Sequence, residues 1–84
     1  MKRIVTFALA FEQFDEYKKL HIILQKMNAL QLSPDTYLFD GEETGQLIRA
    51  RLSAVLYKDD TFYYISVGKD RKLLIIKDHG LRTR

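Results

Sequence analysis

The sequence predicts an α+β fold, with elements in the order β-α-β-β-α-β-β and two helices laid on one face of a mainly antiparallel sheet. Three observations carry that expectation. Residues 3–10, RIVTFALA, form an almost unbroken apolar, β-branched and aromatic run. Two later segments, beginning near Asp15 and Gly45, repeat apolar residues every three or four positions. The C-terminal third reads TFYYISV, then GKDRK, then LLIIK, which is the pattern of a hairpin.

Taken in order, the first run is a strand, and its unbroken apolarity suggests cover on both faces. The polar FEQFDE stretch leads into a helix expected from Asp15 to Asn28. Asp15 is its expected N-cap, since a carboxylate there accepts amide protons of the first turn. Tyr17, Leu20, Ile23, Leu24 and Met27 form the apolar stripe, with Lys18, Lys19, Gln25 and Lys26 turned to water. LQL and TYLF flank Ser33-Pro34-Asp35, where proline removes a ladder donor and favours a turn; two short strands or one bent strand fit. Thr44 is the expected cap of a second helix from Gly45 to Tyr57, with Ile48, Leu52, Val55 and Leu56 as its stripe and Ala50 and Ala54 at points of close approach. Asp59-Asp60 closes the loop into TFYYISV, which is strongly β-prone. This order is that of the ferredoxin-like β-α-β-β-α-β sandwich with an extra C-terminal strand.

At 84 residues the chain forms one domain, expected over 1–77 with a basic C-terminal tail at 78–84. It contains no cysteine, which removes disulfides, thiolate metal sites and thiol nucleophiles and suits a cytoplasmic location. No apolar run approaches the ~18–20 residues that span a bilayer, and IVTFALAF lacks a cleavage signal of the secretory kind. The net charge of +3 permits a polyanionic partner without requiring one.

Helices on one side leave the second sheet face to be covered. Phe62 and Tyr64 alternate with Tyr63 and Ile65, and Leu73 and Ile75 with Leu74 and Ile76, so apolar residues fall on both faces. Large apolar faces are seldom left open on a monomer. A homodimer is therefore expected, with Phe62, Tyr64, Leu73 and Ile75 as its interface.

The segments MKRIVTFAL, FDEYKKL and SPDTYLFDGEETGQLIRARLSAVLYKDDTFYYISV together resemble the SinR-like small proteins. These are relatives of virulence-associated protein D and of the CRISPR-associated adaptation proteins. The resemblance covers residues 1–67 and implies the ferredoxin-like fold and a nucleic-acid-associated dimer. The nucleases of that superfamily carry a metal-holding aspartate at the end of the first strand. Here Ala8, Leu9 and Ala10 stand there, with no carboxylate before Glu12, so metal-dependent cleavage is not expected. A divergent nuclease would have to draw on Glu12 with Asp35 or Asp40. A regulatory module of antitoxin or inhibitor type, docking a protein partner on a free strand edge, is the other class in play.

Four cations are the nucleic-acid candidates: Arg49, Lys69, Arg71 and Lys72. Arg49 and Arg51 lie about 200° apart on a regular helix and cannot serve one ligand. Arg49 reads first as a surface ion pair with Glu42 or Glu43, and otherwise as a phosphate fork. Lys69, Arg71 and Lys72 charge a hairpin tip, which guards a strand edge or contacts phosphate; Lys77, Arg82 and Arg84 would extend the patch. Tyr63 and Tyr64 read as core or dimer contacts, with base stacking as the functional alternative. His21 and His79 have no partner at metal-ligand spacing, and no cofactor fingerprint occurs, so neither a metal nor a cofactor is expected.

Overall fold

The computed structural model describes residues 2–10, 14–41 and 44–83. It contains β1 (Lys2–Ala8), α1 (Phe14–Lys26), β2 (Leu30–Ser33), β3 (Thr36–Asp40), α2 (Gly45–Val55), β4 (Thr61–Val67) and β5 (Leu73–His79). The strands form one five-stranded sheet in the order β2-β3-β1-β4-β5, and every neighbouring pair is antiparallel. The fold is α+β.

β1 is the central strand, and its register sets both faces. Val5 lies opposite Tyr37 of β3 and Tyr64 of β4, and Phe7 lies opposite Phe62. These five side chains are no more than 5 % exposed and form the core with Phe39, Leu20 and Leu24 of α1, and Ile48 and Leu52 of α2. The rings of Phe7 and Tyr37 meet edge-on at 6.1 Å. Alternation then sends Ile4, Leu38 and Ile65 to the opposite face, each opposite its neighbour.

This arrangement corrects the expected interface. Phe62 and Tyr64 point into the helix-covered core, at 0 % and 5 % exposure, and have no surface to offer a second subunit. Leu73 and Ile75 do lie on the open face and are more than half exposed. On β4 the open-face residues are Tyr63 and Ile65. The apolar string TFYYISV gives no cue to which alternate set faces the helices; the pairing with β1 decides it.

The helices match their stripes with adjusted ends. α1 begins at Phe14, so Asp15 sits in its first turn and is not the cap. It ends at Lys26, two residues short of the expected Asn28, whose φ of 61° instead lets Asn28 N–H reach Gln25 O at 3.0 Å and Ala29 N–H reach Leu24 O at 3.0 Å. That pair of bonds is the Schellman closure, with asparagine in the left-handed position. Thr44 caps α2 as expected, accepting from Leu47 N–H at 3.2 Å. Ala50 and Ala54 are exposed and mark no close approach, whereas Ser53 is buried.

The segment after Lys77 is not a loose tail. β5 continues to His79, Leu81 N–H donates to Ser53 O at 2.9 Å, and Arg82 N–H donates to Leu56 O at 3.1 Å. These bonds satisfy carbonyls that the end of α2 leaves open. They are backbone contacts, so the scarcity of apolar side chains in 78–83 does not loosen them. Arg84 lies outside the described residues.

Asp60 ties the closing segments together. Its Oδ1 accepts from Ala10 N–H at 2.9 Å, its Oδ2 from Tyr57 N–H at 3.1 Å, and its carbonyl from Gly80 N–H at 3.1 Å. The side chain is 1 % exposed, so these donors replace water. Gly80 crosses the end of α2 so closely that a Cβ would meet the backbone of Leu56 and Tyr57. Gly80→Ala is expected to lower unfolding stability by about 2 kcal/mol or more in urea titration, because backbone must move. Gly41→Ala, with nothing among the described residues within 4 Å of the added carbon, should change it by less than about 0.5 kcal/mol.

Candidate functional site

Two surface features stand out, and they share a corner of the sheet. The first is the open face. One row crosses all five strands: Leu30 opposite Leu38, Leu38 opposite Ile4, Ile4 opposite Ile65, and Ile65 opposite Ile75. Every member is aliphatic, and the two outermost, Leu30 and Ile75, are 61 % and 55 % exposed. The neighbouring row is polar, with Thr36, Thr6, Tyr63 and Lys77 in cross-strand succession. Lys77 Nζ lies 5.9 Å from the centre of the Tyr63 ring.

The second feature is the β4–β5 turn. Gly68 N–H donates to Lys72 O at 3.0 Å, Arg71 N–H to Gly68 O at 2.9 Å, and Lys72 N–H to the Asp70 carboxylate at 3.1 Å. The turn holds Arg71 at a φ of 63°, in the left-handed region that glycine and asparagine favour. Lys69, Arg71 and Lys72 are all exposed. Lys69 and Lys2 flank a shallow depression of about 470 Å³ floored by Ile4, Leu38, Ile65 and Val67. Lys2 is a member of this corner that sequence reasoning missed, because only strand pairing brings the start of the chain beside the turn.

Arg49 does not join them. Its Nε lies 4.0 Å from Asp78 Oδ2 near the far end of β5, six residues beyond Lys72 and so roughly 20 Å along the strand. The expected pairing with Glu42 or Glu43 falls outside the described residues; among those residues the acid beside Arg49 is Asp78. Both side chains are about a third exposed, so the pair contributes little to stability. Arg82 is also elsewhere, stacked 4.8 Å from the Tyr57 ring at the end of α2. Among the described residues the basic patch is therefore a corner that Arg82 does not extend.

The other candidates separate. Asp35 and Asp40 bracket β3 at opposite ends, roughly 16 Å apart along the strand, and do not converge. Glu12 lies outside the described residues. No group of three or more His, Asp or Glu that would hold a metal occurs among the described residues. His21 Nδ1 meets the Tyr37 hydroxyl at 2.9 Å, and burial raises that phenol above its ordinary value of 10.0. Tyr64 is in the core, which leaves Tyr63 as the aromatic residue on the open face of β4. Among the described residues, no helix is long and apolar enough to cross a membrane.

Asp35 organises the β2–β3 turn. Ser33 Oγ donates to its Oδ1 at 2.6 Å and Thr36 Oγ1 donates to the same oxygen at 3.2 Å. Since Thr36 uses its proton there, Thr6 donates across the sheet to Thr36 Oγ1 at 3.0 Å. The Ser33 bond holds the Asp35 carboxyl below its ordinary 3.8, against the upward push of partial burial and with a smaller contribution from Thr36.

Comparison of the chain with family models, with curated proteins and with solved structures finds no match.

The lowered Asp35 value fixes the sign of a pH effect. A carboxyl with a depressed folded value stabilises above its unfolded value, and that contribution is lost as pH falls through the folded one. Asp35→Asn should therefore be less stable than the parent chain at pH 5–7, and the gap should close as pH drops below 3.8. Urea titrations across that range measure it.

Proposed function

We propose that this chain is a homodimeric binding module in which the open sheet faces of two copies meet and the β4–β5 turns present cations to nucleic-acid phosphates. The observation that carries the reading is the unbroken aliphatic row from Leu30 to Ile75. It has no charged member, and its exposed ends would be covered by an identical row related by a two-fold axis. By strand spacing and rise, the face is roughly 20 by 20 Å. Stable interfaces take about 800 Å² of accessible surface per partner. A face of this size reaches that only if nearly all of it is covered, which favours a sheet-to-sheet contact over docking at one edge.

The strand order β2-β3-β1-β4, extended by β5, supports a ferredoxin-like plan and is consistent with kinship to the SinR-like small proteins and the CRISPR-adaptation superfamily. Within that kinship the chain is read as a cytoplasmic binding protein without metal-dependent nuclease activity. Ala8, Leu9 and Ala10 supply no ligand at the end of β1, and Asp35 and Asp40 lie too far apart to share an ion. Nucleic-acid contact rests on the corner formed by Lys2, Lys69, Arg71 and Lys72, where cations border the proposed interface. A second reading draws on β5 itself. This edge strand exposes Leu73, Leu74 and Ile75 in succession, and a protein partner could add a strand there.

Sedimentation over a micromolar concentration range tests the dimer. The parent chain is expected to be dimeric and Ile75→Lys monomeric yet still folded, because the side chain is exposed within one chain, with a melting temperature lowered only by the loss of the association that stabilises the parent. A dimer that survives Ile75→Lys would favour another surface. Binding to short DNA and RNA duplexes and single strands at several salt concentrations tests the cationic corner. Arg71→Gly removes one charge while relieving a backbone position that glycine adopts freely. It should reduce the slope of log affinity against log salt by about 1, and stability should be nearly unchanged.

A further inference from the structure

The charge least accounted for lies on the other side of the sheet. Arg3 stands on β1 opposite Phe39 and Ser66, with its side chain on the helix-covered face. It is 7 % exposed. Its Nη2 donates to Gly41 O at 3.1 Å, while its Nη1 is closed to solvent and has no hydrogen-bond partner among the described residues. A guanidinium does not give up its proton in proteins, so burial leaves a full positive charge for which the described residues supply one carbonyl. Such a group is expensive to bury unless an anion completes it.

Beside it is a pocket of about 210 Å³ between the end of α1 and the first turns of α2. Arg3, Asn28 and Gly41 supply its polar lining and Met27, Phe39 and Ile48 its apolar lining. Asp40 borders the pocket, but its pairing with Lys2 places its side chain on the open face, away from Arg3. The carbonyls of Leu24 and Gln25 near the end of α1 are engaged by the Ala29 and Asn28 amides. Ile48 belongs to the N-terminal part of α2, the positive end of the helix dipole. The pocket is smaller than the ~300–1,000 Å³ of a drug-sized site. Its lining combines a cation and polar neighbours with three apolar side chains.

We propose that this pocket binds a carboxylate carried on a small aliphatic body. The Arg3 guanidinium donates to the carboxylate, and Met27, Phe39 and Ile48 enclose the aliphatic part. A short-chain carboxylic acid and the C-terminal residue of a peptide share this chemistry. The long Arg3 side chain and the unbranched Met27 at the wall have the rotamer freedom to open Nη1 to the ligand. The site is independent of the open face, so it stands whether or not the chain dimerises.

Backbone amide NMR titration of the whole chain at constant ionic strength tests this. The probes are isovalerate for the free acid, N-acetyl-leucine for a peptide C-terminus, N-acetyl-leucinamide as its neutral counterpart, and inorganic phosphate. Saturable shifts at Asn28, Gly41 and Ile48 are expected with one or both acids, and affinity for the amide should be at least tenfold lower. The preferred acid identifies the source. Arg3→Met retains the length of the side chain and removes the buried cation. It should bind the acids at least tenfold more weakly while unfolding at the same temperature as the parent chain or higher. If Arg3→Met does not fold, the comparison of acid with amide on the parent chain still decides. Equal binding of acid and amide, preference for phosphate, or no saturable shift at millimolar acid would overturn the proposal. Acid binding that appears only in the Glu42→Gln, Glu43→Gln double variant would also overturn it, since the guanidinium would then belong to the chain's own carboxylates.

Discussion

The pairing of β1 with β3 on one side and β4 on the other is the constraint on which the rest depends. One register places Val5 between Tyr37 and Tyr64 and, one residue earlier, Ile4 between Leu38 and Ile65. The first triplet is the centre of the core, and the second is the centre of the outer aliphatic row. A slip of one residue would exchange the two sets on β1 and send Arg3 to the other face. Core, open face and the buried arginine are thus consequences of a single strand alignment. With both helices packed on the Val5 side, the described residues contain no second layer to cover the Ile4 side.

Most elements were legible because their signals are local. The stripe at Leu20 and Leu24, the Thr44 cap and the GKDRK turn depend on residues within one or two turns of each other, and the structure places all three as read. The facing of Phe62 and Tyr64 was not legible. In TFYYISV both alternate sets contain aromatic or aliphatic residues, so local periodicity is silent and only the pairing with Phe7 and Val5 decides. Leu73 and Ile75, which do fall on the open face, sit in a strand whose alternate set, Leu74 and Ile76, is no less apolar.

The candidate site divides in the same way. Lys69, Arg71 and Lys72 are neighbours in sequence and remain so in space, whereas Lys2 joins them only through the sheet. For Arg49 the acids close to it in sequence, Glu42 and Glu43, lie outside the described residues, and the contact with Asp78 of β5 is one that only the tertiary fold reveals. Asp60 and the segment after Lys77 carry the least sequence signal of all. An aspartate in an Asp-Asp pair and a polar C-terminus look solvated, yet the Asp60 carboxylate is buried and accepts from the amides of Ala10 and Tyr57, and the terminus is fastened by its backbone. Contacts made by backbone amides leave no trace in residue type beyond Gly80, where the missing Cβ admits the chain.

The two faces of β1 have opposite unfinished business. Among the described residues, the outer face carries an aliphatic row that no second layer covers, and the inner face carries a buried guanidinium whose Nη1 has no hydrogen-bond partner. The measurement that tests the central claim most directly is an isotope-filtered NOE experiment on a mixture of labelled and unlabelled chain. The account predicts intermolecular contacts between the methyl groups of Ile4, Leu38, Ile65 and Ile75. Intermolecular contacts confined to other surfaces, or none at millimolar concentration, would contradict it.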